Sequence, residues 1–122
     1  MKALVVEPSK MYQLLLNEFL NGFSISHDVV TTGEAALIEL AKEPVDFIII
    51  AMNLSDTLAT TLACQIKSQK NLANTIIVIM TGEQDPSKLL QLKTVDINYV
   101  CQRHELNQLK EILTKLTQGD LT

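Results

Sequence analysis

Residues 46–57 read DFIIIAMNLSDT, and the reading of this stretch decides the fold. An acid leads into four apolar residues, Phe47 to Ile50, with no polar/apolar alternation, and the run ends on Ala51 and Met52 before the chain turns polar. A continuous apolar run of strand length, rich in β-branched residues, suits a strand buried on both faces, as in a parallel sheet covered by helices. Working outward, ALVV (3–6), TIIVIM (75–80) and the weaker INYV (97–100) have the same character, and HDVVTT (27–32) makes a fifth candidate.

Helical spacing fills the intervals. Tyr12, Leu15, Leu16 and Phe19 form one apolar stripe, with Ser9 placed to cap its start and Gly22 to stop it. Leu37, Leu40 and Ala41 mark a second helix over Glu34–Lys42, and Leu58, Leu62 and Ile66 a third. Pro86 opens a fourth, carrying Leu89 and Leu92, and Leu106, Leu109, Leu113 and Leu116 mark the last. Strand and helix alternate five times, which calls for an α/β fold with a parallel sheet and helices on both faces. In such sheets ligands bind beyond the carboxyl ends of the strands, at the topological switch point. At that end of the stretch quoted above stands a methyl group, Ala51.

The chain of 122 residues fits one domain, 1–117, with 118–122 as a polar tail or the start of a linker to an output domain. It is 47% hydrophobic but only 4% aromatic with no Trp, so its core is aliphatic. A net charge of −4 and scattered Lys and Arg argue against direct nucleic-acid binding, which needs a concentrated basic surface. Cys64 and Cys101 stand far apart with no metal-ligand spacing and read as free buried thiols. No apolar stretch approaches the ~20 residues of a membrane span, and the leading run is too short for a signal peptide. A reduced, cytoplasmic protein is expected.

The blocks LVVEPSKMYQLLLNEFLNGF, TTGEAALIEL, PVDFIIIAMNLSDT, TIIVIMTGEQD and NYVCQR, taken in order and spacing, resemble the receiver domain of bacterial response regulators. The resemblance spans essentially the whole chain and implies a flavodoxin-like three-layer sandwich, its five-stranded sheet in the order 2-1-3-4-5. It also implies two-component signalling, with a phosphoryl-transfer site of few parts. These are an acidic pair after the first strand, a metal-binding Asp nucleophile ending the third, a Ser or Thr after the fourth, and a Lys after the fifth.

Carried over residue by residue, most of those parts are missing. The acidic pair falls on Glu7 and Pro8, the nucleophile on Ala51, the hydroxyl on Thr81 and the Lys on Gln102, with Arg103 where a Pro usually follows. Asn53 belongs to the same set of strand-end positions. Ala51 cannot attack phosphorus, Pro8 offers no oxygen, and Glu7 alone makes a weak Mg²⁺ site, so metal binding is expected to be weak or absent. Asp56 is expected to open the next helix as an N-cap or first-turn acid. Alternation directs Arg103 away from the face of the Lys position. Glu7 then reads as a partly solvated carboxylate accepting from a backbone N–H or paired with Arg103. His27 and His104 lack partners at motif spacing and read as surface or packing residues. Thr81 and Tyr99 fall on the family's switching pair, at the face formed by the fourth helix, fifth strand and fifth helix.

The resulting expectation is a degenerate receiver: not an enzyme, not phosphorylated, and needing no cofactor. It would regulate by binding a protein partner, an output domain beyond residue 122 or its own copy through that face. Two alternatives stand beside it. One is a phosphorelay receiver using Asp56, Ser55 or Thr81 as an unconventional acceptor; the other is a small-ligand-binding flavodoxin-like module.

Overall fold

A computed structural model describes residues 1–83, 85, 87–89 and 97–118. Five strands form one parallel sheet in the order β2-β1-β3-β4-β5: β1 (Lys2–Val6), β2 (Ser26–Val30), β3 (Phe47–Ala51), β4 (Ile76–Thr81) and β5 (Tyr99–Gln102). Helices α1 (Lys10–Gly22), α2 (Gly33–Lys42) and α3 (Ala59–Lys67) and the last helix (Leu106–Thr117) join or follow them. Residues 87–89 are also helical, where the fourth helix was expected; Pro86 and Leu92 lie outside the described residues.

β3 is central because every residue in it is buried. It pairs with β1 from Ala3↔Phe47 to Val6↔Ile50 and with β4 from Phe47↔Ile76 to Ala51↔Met80. Alternation then splits its side chains between two apolar layers. Phe47 and Ile49 join Leu16 and Leu20 of α1 and Leu109 and Leu113 of the last helix. Ile48 and Ile50 join Ala36 and Leu40 of α2 and Leu62 and Ile66 of α3. Each such aliphatic side chain contributes roughly 1.5–3 kcal/mol by leaving water, so the unalternated run can be nothing but an interior strand.

Helix ends follow local chemistry, with three departures from the sequence reading. Ser9 caps α1, its hydroxyl accepting from Tyr12 N–H at 3.5 Å. Gly22 does not stop that helix but closes it from inside. The left-handed residue is Ser24 (φ 57), where Ser24 N–H bonds Asn21 O and Ile25 N–H bonds Leu20 O, a Schellman ending sealed by buried Leu20 and Ile25. In α2, which begins one residue earlier than expected and is capped by Thr32, the buried face is Gly33, Ala36 and Leu40, and Ala41, one position round the helix from Leu40, is exposed. Leu58, expected within the third helix, is its exposed N-cap.

Candidate functional site at the strand ends

The order β2-β1-β3 puts the chain's change of direction between the carboxyl ends of β1 and β3, beside Glu7 and Ala51. Glu7 follows β1 and extends its ladder, donating N–H to Val30 O at 3.0 Å. The residue is 1% exposed, which corrects the expectation of a partly solvated carboxylate. Such burial is tolerable only for a paired and hydrogen-bonded charge. Glu7 has both supports: Oε1 accepts from Arg103 Nη2 at 2.7 Å, and Oε2 from Ser9 N–H at 3.1 Å. The Arg103 guanidinium also lies 3.9 Å above the centre of the Tyr12 ring on α1.

Arg103 thus faces the site, contrary to the alternation argument. β5 ends at Gln102, so the period of two no longer governs residue 103. Its N–H is still held by Thr81 O at 2.8 Å, which leaves the long side chain free to turn back over the strand tips. Gln102, at the Lys position, points elsewhere: Nε2 donates to Glu83 O at 2.9 Å, and its backbone N–H is taken by Gln108 Oε1 at 2.8 Å. Gln102 Oε1 and Arg103 Nε are buried with no partner among the described residues.

The remaining positions divide into those drawn to the site and those spent on structure. Ala51 is 1% exposed, a methyl group sealed at the tip of β3. Pro8 is exposed and leads into the Ser9 cap. Asn53 is exposed and forms an isolated bridge with Leu58. Thr81 is buried at the end of β4, and its hydroxyl oxygen accepts from Glu83 N–H at 3.0 Å, closing the turn that follows. Tyr99 is half-buried against the layer of α1 and the last helix. Alternation along β4 groups Thr81 with Ile77 and Ile79 of the opposite layer, so Thr81 and Tyr99, the pair expected to switch, do not share a packing layer.

Asp56 does not open α3. That helix starts at Ala59, and Asp56 caps the preceding one instead, Oδ1 accepting from Gly33 N–H and Oδ2 from Glu34 N–H, each at 3.0 Å. These donors, Gly33 foremost, hold its pKa below the ordinary 3.8. Ser55 beside it is exposed. His104 is exposed, and His27 bridges Ile25 O and Asn17. Cys64 is exposed on α3, against expectation; Cys101 is buried on β5, and burial pushes its thiol up to about 11. Among the described residues no three His, Cys, Asp or Glu side chains gather as metal ligands would, and no helix is long and apolar enough to cross a membrane.

Tyr12, Ser9 and Gln13 escaped the sequence reading as parts of this site. Gln13 Nε2 donates to Glu7 O at 2.6 Å, so the first turn of α1 grips Glu7 from both ends of the residue. Tyr12 reads in sequence as one more member of an apolar stripe; only its place in the first turn, one step from the strand tip, hints at more.

Sheet order, layering and the position of the cleft are those of the receiver-type flavodoxin-like α/β fold. Solved structures agree. The receiver domain of a sensor histidine kinase from Pseudomonas aeruginosa, with a magnesium ion in its active-site cleft, superposes with a TM-score of 0.84 at 17% identity, over 96% of this chain and 97% of that one. The signal receiver domain of a histidine kinase from Syntrophus aciditrophicus gives 0.87 at 19% identity, over 97% and 90%. A chemotaxis response regulator of Vibrio cholerae gives 0.83 at 22% identity, over 98% of each chain. No protein-family model matches the chain, and no curated protein matches it.

Proposed function

We propose that this domain is a degenerate receiver: a signalling and interaction module of two-component type that keeps the receiver fold and does not take up a phosphoryl group. The observation that supports this reading is Ala51, buried at the tip of β3, the position at which receiver domains carry their nucleophile. A methyl group has no lone pair to attack phosphorus. The neighbouring changes point the same way, since Pro8 has no side-chain oxygen and Gln102 is neutral and bonded to Glu83 O. Among the described residues no nucleophile–base pair stands at the cleft, so the domain acts by binding and not by catalysis. Its input and output are protein contacts, made through the face of the fourth helix, fifth strand and fifth helix to a partner, an output domain or a second copy, without metal or other cofactor.

An unconventional acceptor is the competing reading. Asp56 is a poor one, because both its oxygens are engaged by the N-terminus of α2. Incubation of the full chain with acetyl phosphate and Mg²⁺, followed by intact mass, tests the proposal. An unchanged mass is expected. Gain of one phosphoryl group would overturn it, and peptide mapping would then say whether Asp56, Ser55 or Thr81 carries the group.

A further inference from the structure

The residues present do not fit a divalent cation. Such an ion needs oxygen ligands in an open, near-octahedral set, typically one or two carboxylates. Here one oxygen of Glu7 is bound by the Arg103 guanidinium and the other by Ser9 N–H, and Pro8 and Ala51 bring no side-chain oxygen. We propose that Arg103 is a tethered internal cation. Its guanidinium reaches back across the tips of β4 and β3, neutralises Glu7 in place of a metal, and latches the loop after β5 to the start of α1. This rests on the degenerate-receiver reading and adds how the retired site is closed.

The topology gives the span. β1 and β5 are separated by β3 and β4, so at about 4.8 Å per strand their ends stand roughly 14 Å apart. The Glu7–Arg103 bridge joins residues 96 positions apart in the chain and closes that gap between the end of β1 and the loop after β5. Three features fix the guanidinium. Its backbone N–H is anchored on Thr81 O, Nη2 is on Glu7, and its flat face is on Tyr12, a favourable cation–π placement. Among the described residues Arg103 Nε is buried without a partner, so Glu7 and the Tyr12 ring position the group, not a saturated set of hydrogen bonds. Ser9 and Gln13 hold the other end of the bridge through α1. The loop leading into the last helix is thereby fixed without any phosphoryl or metal signal.

Manganese, whose paramagnetism broadens nearby amide signals, tests this in the full chain. Stoichiometric Mn²⁺ is expected to leave the amides of Glu7, Ser9 and Met52 sharp in the natural protein and in Pro8→Asp, where a second carboxylate is supplied but Arg103 remains. Pro8→Asp combined with Arg103→Gln should show selective broadening at those residues. Equal broadening in Pro8→Asp alone, or none in the double variant, would overturn the proposal. If Pro8→Asp does not fold, thermal midpoints decide the same point. Arg103→Gln should lower the midpoint by stranding Glu7, and adding Glu7→Gln should recover part of the loss; additive losses would overturn the latch. A phosphorylated natural chain would sink the proposed function and leave these outcomes untouched, so the two failures are distinguishable.

Discussion

Asp56 and Arg103 show how a side chain's sequence neighbourhood can mislead about its target. An acid five residues beyond a strand tip suggests the start of the next helix, yet Asp56 spans 23 positions to accept from Gly33 N–H and 22 to accept from Glu34 N–H. Its folded pKa is depressed, so its stabilisation is complete above the ordinary 3.8 and disappears as pH falls through the lowered value. Asp56→Ala is therefore expected to lower the melting temperature by a constant amount between about pH 7 and pH 5, the gap narrowing below about pH 4. A gap that stays undiminished below about pH 4 would exclude the charged cap. What Pro8, Ala51 and Gln102 lack was legible in the residues themselves, since none of the three carries a charged side-chain group wherever it points. The pairing of Glu7 with Arg103 was legible only as an option, because alternation fails one residue past a strand end and Tyr12 looks like any stripe residue.

At the scale of elements, β1, β3 and β4 were readable because continuous β-branched runs suit strands buried on both faces, β2 and β5 gave weaker signals because they are only partly buried, and four helices were readable because their apolar positions recur at helical spacing. Their ends were less so, since capping depends on tertiary partners. α1 runs through Gly22 because buried Leu20 and Ile25 seal the turn around Ser24. The start of α2 is set by the β3–α3 loop: a Cβ on Gly33 would come within 2.5 Å of Thr57 Cγ2. Gly33→Ala, ordinarily helpful in a helix, is predicted to destabilise by about 1–3 kcal/mol through this overpacking. Thr57→Ser removes the offending methyl, so Gly33→Ala/Thr57→Ser should regain most of the loss in urea denaturation. Equal cost in both backgrounds would place the strain elsewhere.

For the whole molecule, two aliphatic layers against one parallel sheet make a scaffold that is complete without its chemistry. Phe47 and Ile49 on one side and Ile48 and Ile50 on the other hold β3 in place whether its tip bears a carboxylate or a methyl group. A methyl group at that tip therefore leaves the fold intact, and the Glu7–Arg103 bridge ties the end of β1 to the loop after β5. Thr81 is bound to the turn at Glu83 and Tyr99 is packed in the opposite layer, an arrangement that suits a domain resting in one conformation. Receivers that answer phosphorylation move between two states, and an input can shift that balance only through differential affinity for them. The most direct measurement is the amide NMR spectrum of the full chain before and after acetyl phosphate and Mg²⁺ are added. Superimposable spectra, with no millisecond exchange at Thr81 or Tyr99, are predicted. Shifts clustered at Glu7, Thr81 and Tyr99 would contradict the account.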